Sequence, residues 1–414
     1  TSETTITNSR ASSNAFFAGR AWFAGIDGAG LNNSVYFSQI IQEASQFGKC
    51  YQQEDPTSLD IPELLANDGG VIKIPEIATI TRIEANNNAL LVFATNGIWA
   101  ISGSSKQYFT ASSYGVRKIS SVGTVSSLSF VDAKGQLFWW GEGGVYTAVY
   151  DANYDAYTIE NLTATSIDTF FLAIPTNNRK YVKGVYDTEE KTITWIYQDY
   201  ATITTSNKYR YNKALVYNIL TKAFYTYAFS TDDSTGALPK IKGIIYVRSV
   251  NNSEQAAVKF FTVFEGPLNG VTGFYEDDSS FAELRDTTYL DWPTYTYNGS
   301  TGTDYSSYFV AGYVSTQDYQ RNMHNDYTFV FMNNVTNSSC YVQGRYNYTS
   351  ASTSGKWSST QQVFPITTTG LTTCIKRVKI RGSGKSLQLK FFSEKSKPFF
   401  IQGWSYNESS NSDV

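Results

Sequence analysis

QRNMHNDY, residues 320–327, holds the only histidine of the chain, His324. A hydrolase built on Ser/His or Cys/His needs a nucleophile activated by such a base. No Gly-x-Ser-x-Gly elbow occurs to supply it, and the stretch around His324 reads as a polar loop. Two acidic pairs, Glu189-Glu190 and Asp277-Asp278, invite a glycosidase reading, because such enzymes set two carboxylates across the scissile bond. Both pairs sit in turn-like sequence, where solvation alone accounts for them. Asp151, Asn153 and Asp155 have the spacing of a calcium loop but lack its glycine and closing glutamate. The glycines of Gly25-Ile-Asp-Gly-Ala-Gly30 and Arg381-Gly-Ser-Gly384 precede no helix, so they read as hairpin turns and not as phosphate cradles. Cys50, Cys340 and Cys374 are three, far apart, and match no zinc spacing; they read as free thiols, with a Cys340–Cys374 bridge the one pairing open to them. No catalytic, metal-binding or cofactor-binding set is expected, and no cofactor. One cationic cluster remains, Lys376, Arg377, Lys379 and Arg381 in KRVKIRGSGK. On a strand Arg377, Lys379 and Arg381 share a face, which suits DNA, an acidic partner ring, or solvent alone.

The elements that must carry these residues are strands. Aromatic residues make up 16% of the 414, with 31 Tyr and 26 Phe, and hydrophobic residues 41%. Tyr, Phe, Thr and Val pack well on a pleated surface, and no long stretch has the 3.6-residue apolar period of a helix. The expected class is all-β. The formal charge of -3 comes without any basic arm for nucleic acid. No run of about 18 apolar residues suggests a membrane helix, and no signal peptide opens the chain. The only methionines are Met323 and Met332, so Thr1 is expected to follow a removed initiator or to lie within a longer product. Eight Trp and 31 Tyr exceed what one core needs, which points to aromatic surface used in contacts.

Along the chain, residues 1–14 read as a polar arm and 409–414 as a polar tail. IPELLAN reads as one short helix capped by Asp60, with Pro62 in its first turn. From Ala15 strands alternate with short turns: Asp132–Gly135, Gly141–Gly144, Asp187–Lys191 and Asn218–Lys222. ALLVFATNGIWAISG, residues 89–103, is two apolar strands around a turn at Asn96-Gly97. Its unbroken apolar runs predict a strand pair covered on both faces, with Trp99 in the core. Four-stranded units of roughly 40–50 residues fit an irregular β-propeller over 15–284; a sandwich array or a solenoid fits the pattern as well. Around 285 the texture turns Tyr-rich, and 285–408 reads as a C-terminal, sandwich-like β domain.

The succession AFFAGRAWFAG, VYFSQI, FGKCYQQEDPTS, DGGVIKIPEIATI and LLVFATNGIWAISG resembles the tail nozzle (tail tubular) proteins of short-tailed bacteriophages. YGVRKISSVGTVSSLSFVDAKGQLFWWGEGGVYTAVYD, DAYTIENLTATSI, SSCYVQGRYNYTSASTSGKW and KRVKIRGSGKSLQLKFFSEKSKPFFIQGW continue the likeness through most of 15–405. The resemblance implies an irregular propeller with added β domains. It implies a homo-oligomer, a hexameric tube below the portal and adaptor rings, assembled in the host cytoplasm and resident in the virion. Its partners would be those tail proteins, tail fibres or spikes, and genomic DNA passing without sequence-specific binding. The lumen of such a tube should be neutral to acidic, since attractive walls would stall a polyanion; the cationic cluster then belongs at protein contacts or outside. A second class stays in play: a propeller-type glycan-binding protein or glycoside hydrolase acting on host surface polysaccharide. The expected outcome of glycosidase, peptidase and nuclease assays is no turnover. Robust turnover abolished by replacing one carboxylate would overturn the structural reading.

Overall fold

The computed structural model describes residues 10–28, 30–53, 55–57, 65–86, 88–104, 108–151, 156–188, 190–199, 201–203, 208–228, 241–247, 258–263, 275–276, 292–297, 300–303, 307–315, 321–333, 338–347, 357–364, 373–394 and 397–412. Two compact units divide the chain, Thr1–Glu276 and Asp277–Val414. The texture change expected near 285 lies outside the described residues, as do residues 60–64 of the expected IPELLAN helix and its cap; its last residues, Leu65–Asn67, form a turn and not a helix.

In the first unit the strands form successive antiparallel sheets, each paired in sequence order. The first comprises β1 (Ala11–Phe17), β2 (Arg20–Ile26), β3 (Ser34–Phe37) and β4 (Gly70–Lys73). The second comprises β5 (Ile80–Asn86), β6 (Ala89–Ala94), β7 (Gly97–Gly103) and β8 (Tyr114–Ser120). The third comprises β9 (Val131–Ala133), β10 (Gln136–Gly141), β11 (Gly144–Asp151) and β12 (Ala156–Asn161). After two short helices, α1 (Asp168–Ala173) and α2 (Thr176–Arg179), the fourth comprises β13 (Lys183–Asp187), β14 (Thr192–Tyr197), β15 (Lys213–Asn218) and β16 (Ala223–Ala228). A fifth has β17 (Ile241–Val247), β18 (Val258–Val263) and β19 (Tyr275–Glu276) among the described residues. The first strands are neighbours: β5 packs on β1, β13 on β9 and β17 on β13. Four-stranded sheets packed face to face in this order make the unit propeller-like.

The apolar runs follow from that stacking. All six residues of β6 are buried. Leu90 and Val92 face Trp22 and Phe37 of the first sheet, whereas Leu91 and Phe93 face Leu137 and Trp139 of the third. β10 repeats the device, with Phe138 and Trp140 turned toward Ile193 and Trp195 of the fourth sheet. A half-solvated strand alternates polar and apolar residues; a strand between two sheets has no polar phase to spare. The rings interlock edge to face, Phe93 on Trp139 at 5.3 Å and Trp22 on Phe109 at 4.7 Å.

Turn chemistry fixes the registers. Lys134 and Gly135 both adopt positive φ, 58° and 92°, as a two-residue turn of the primed type requires, and Asp132 Oδ1 accepts the Gly135 N–H at 2.6 Å. Asp187 and Asn218 head two four-residue turns in the fourth sheet, each closed by a lysine at positive φ, Lys191 and Lys222. The hairpin of the second sheet turns one residue earlier than expected. Ala94 pairs with Gly97, so the loop is Thr95-Asn96. Gly97 is a strand residue held glycine by contact: a Cβ there would lie 2.6 Å from the Ser120 carbonyl oxygen.

The second unit holds a hairpin, β20 (Trp292–Tyr297) and β21 (Ser300–Thr303), and a sandwich. One sheet is built from β22 (Tyr308–Val310), β23 (Val314–Ser315), β25 (Cys340–Tyr346), β26 (Gln361–Phe364) and β29 (Ser386–Phe392). The other centres on β24 (Arg321–Asn333), flanked by β27 (Thr373–Val378) and β28 (Ser383–Gly384) on one side and β30 (Ile401–Ser412) on the other. Val342, Leu389 and Phe391 of the first meet Val330, Met332 and Val378 of the second.

Three polar stretches are more ordered than their composition suggests. Ala11–Asn14, inside the expected arm, pairs with Phe23–Ile26 as part of β1. Ser409–Ser412, inside the expected tail, pairs with Arg321–His324. His324 is therefore a strand residue between Ser383 and Ser409 and not part of a loop. In each case a neighbouring strand supplies the backbone partners, and pairing outweighs propensity.

Trp99 is 2% exposed, with the Lys118 ammonium 5.1 Å from its ring centroid. Trp99→Ala is expected to lower the free energy of unfolding by about 3–5 kcal/mol through the cavity it leaves. Urea titrations followed by far-UV circular dichroism measure this, and a loss below about 1 kcal/mol would contradict the packing.

Candidate functional site

Of the residues that sequence singled out for catalysis, His324, Glu190 and Asp151 are among those described, each on a different element. His324 is half-buried in β24. Glu190 lies in the turn after β13, its backbone N–H donating to Asp187 Oδ1 at 3.2 Å. Glu189, Asp277-Asp278 and the trio's Asn153 and Asp155 lie outside the described residues, while Asp151 ends β11. Gly25 closes β2 at φ 69°. At Gly382 a Cβ would lie 2.4 Å from the Tyr346 ring, so the glycines of 381–384 serve a close chain approach. Cys50, Cys340 and Cys374 are free. Burial pushes the Cys340 thiol up to about 12 and Cys50 up to about 11, which suppresses the reactive thiolate.

Buried ionic groups are committed to backbone. Arg20, 1% exposed, donates from Nη1 to the Ser38, Asn67 and Asp68 carbonyls and from Nη2 to that of Ala66. Asp68 accepts the backbone N–H groups of Gln53 and Leu65 at 2.8 and 2.9 Å. These bonds close the base of the excursion between β3 and β4. Desolvation lowers Arg20 to about 10, and the Asp68 charge works against that shift. Arg179 binds the carbonyls of Leu172, Ile174 and Glu142, and so caps the C-terminal end of α1. Beside α2 a cleft of about 380 Å³ is lined by Asn177, Asn178, Lys180, Tyr181 and Thr202, among others, with no carboxylate in its described lining. At Asp199 burial works to raise the carboxyl, but hydrogen bonds from Lys213 and Asn212 and the Lys213 charge outweigh it and hold it below its usual value. A general acid would need the opposite shift.

The cationic cluster does form a coherent surface, though not with all four members together. Cys374, Val378 and Ile380 point into the sandwich core. Ile375, Arg377, Lys379 and Arg381 occupy the alternate positions and are exposed. Lys376 is exposed too but belongs to the other phase of the strand. The Arg377 guanidinium lies 4.4 Å from the Tyr327 ring centroid, and the Lys379 ammonium 5.8 Å from it. Phe329 stands opposite Arg377 and Phe331 opposite Ile375. Tyr327, Phe329 and Phe331 alternate with the buried Thr328, Val330 and Met332, so they share the outer face. Small residues, Gly403 and Ser405, border them on the β30 side. The sequence reading found the cations and missed the apolar centre. The signal was available: DYTFVFMN has apolar residues in both phases, which a strand covered on one face does not need.

No protein-family model matches the chain, and no curated protein matches it. Solved structures resemble it loosely. The N-terminal domain of Nup159 is 10% identical with a TM-score of 0.33, over 64% of this chain and 60% of that one; this chain thus spans less than two thirds of that relative's length. An exo-β-1,3-galactanase from Phanerochaete chrysosporium is 9% identical with a TM-score of 0.28, over 94% and 92%. A GH32 β-fructofuranosidase from Bombyx mori is 8% identical with a TM-score of 0.24, over 94% and 92%. Likeness at this level carries no argument about activity.

The Asp199 pairing gives a pH test. Its folded value lies below the unfolded one, so it stabilises the fold above about pH 3.9 and that contribution is lost as pH falls further. Asp199→Asn is therefore expected to flatten the acid limb of a melting-temperature profile between about pH 5 and pH 2.5. Parallel limbs for the two proteins would show that the pair contributes nothing.

Proposed function

We propose that the chain is a structural protein of a bacteriophage tail nozzle, one subunit of a closed homo-oligomeric ring, six by the resemblance, around a channel for DNA. It carries no catalytic site in this reading. The observation that carries it is the exposure of large apolar side chains in both units: Tyr108 is 87% exposed, Phe16 65%, Tyr308 63% and Ile375 60%. Subunit contacts would cover such groups. The succession of sequence phrases shared with nozzle proteins supports the same reading. So does the commitment of Arg20, Arg179, Asp68 and Asp199 to holding loops. Its partners are further copies, the adaptor or portal-side ring, fibre or spike proteins, and DNA passing without sequence-specific contacts; its place is the virion. Among the described residues no helix is long and apolar enough to cross a membrane.

A glycan-binding reading has one specific support. On the outer face of the β22–β29–β25 sheet, Tyr308, Phe392 and Tyr341 stand in one cross-strand row, with Tyr341 and Phe392 stacked at 5.5 Å and Lys390 over Tyr308. Aromatic rings beside polar groups suit sugars as well as proteins. Cryo-electron microscopy of the full chain separates the two readings. Ring-shaped particles with a central channel are expected. A chain that stays monomeric at every concentration, or that binds host polysaccharide with saturable affinity as a monomer, would overturn the nozzle assignment.

A further inference from the structure

The outer face of the β24–β27–β30 sheet combines features that a solvated surface does not need together. Arg377, Lys379 and Arg381 follow one another at every second position, about 6.6–6.8 Å apart along the chain. Charged residues on an edge strand are a common guard against aggregation. Here, however, the same face also carries Ile375, 60% exposed, beside Phe331, with Phe329 in the next row. A guard alone would not leave an isoleucine out among its cations. Apolar and aromatic groups at the centre, arginines around them and small residues along one side form the usual anatomy of a protein contact.

The charge of the chain identifies the occupant. There are 33 Lys and Arg against 36 Asp and Glu. Without the three ridge cations the balance is 30 against 36, so the rest of each copy carries a net charge of -6. A second copy therefore offers the complementary sign. It cannot offer it through the same face, because a two-fold axis would set cations against cations. The contact must be head-to-tail, the kind that closes into a ring when the rotation permits.

We propose that this sheet face docks a second copy of this chain, net negative outside the ridge, in a heterologous contact. Phe329, Phe331 and Ile375 form its centre and Arg377, Lys379 and Arg381 its rim. The proposal rests on the ring reading above and specifies which surface makes the ring. Part of the contact is exposed ion pairing, so the assembly weakens as salt screens it.

The test uses the full chain. Wild-type protein should sediment as a ring at about 0.05 M salt and shift toward the protomer at about 0.5 M. Arg377→Glu/Lys379→Glu should sediment as the protomer at both, with far-UV circular dichroism and melting temperature unchanged. A second measurement does not depend on a variant. Isotopically heavy and light copies are mixed, assembled and treated with a carbodiimide, which joins Lys to Asp or Glu at contact distance. Heavy–light cross-links from Lys379 are expected. Rings that persist in the charge-reversed variant, or Lys379 cross-links confined to single copies, would overturn this contact and leave the nozzle reading standing. Wild-type protein that forms no ring under any condition would overturn both.

Discussion

A sheet that is apolar on both faces cannot exist alone, and the first unit is arranged around that constraint. The second sheet covers the first with Leu90 and Val92 and the third with Leu91 and Phe93. The third does the same with Leu137 and Trp139 on one face and Phe138 and Trp140 on the other. Each cluster belongs to two sheets at once, so no sheet has a core of its own. Stability in such a stack comes from interfaces between units more than from the units themselves. Several loops, glycines and buried ions hold the chain where those sheets approach closely.

Buried charge is used in the same service. Arg20 and Arg179 each direct their N–H groups to backbone carbonyls that no strand satisfies. A guanidinium has five donors in a fixed fork, which suits it to gathering chain segments from different elements. Both terminal nitrogens of Arg20 are engaged in this way. Arg377, Lys379 and Arg381, by contrast, are exposed on one face in the second unit, beside aromatic rings and an exposed isoleucine. The molecule thus separates polar groups that hold the chain from polar groups that present it.

Much of this was legible in the sequence where local chemistry decides structure. The Asp and Asn residues heading turns, the Lys-Gly pair at 134–135 and the unbroken apolar run of β6 all carry their conformations in their side chains. The one-residue offset at Thr95-Asn96 was not legible. It depends on the Ser120 carbonyl, which approaches Gly97 from a strand more than twenty residues away in sequence. His324 and Ser409–Ser412 were misread for a related reason. The stretches around them are polar and pair with partners far along the chain, so no local pattern marks them. The cationic face was half legible: the charges alternate visibly, but Phe329 and Phe331 join them only through the register of β24 with β27.

The Arg20 junction separates two problems that most loops must solve together. Its four carbonyl partners lie just after β3 and just before β4, so the excursion is tied off at its root. To the sheet, that stretch is a closed circuit whatever its contour length. The entropy of bringing its ends together is met at the base. Beyond that base the stretch keeps its own contacts with the sheet, Phe47 edge to face on Phe16 at 5.6 Å and Ile41 N–H on the Gly19 carbonyl. A change of length in the loop is therefore separated from the register of β3 with β4, which the junction sets at its root.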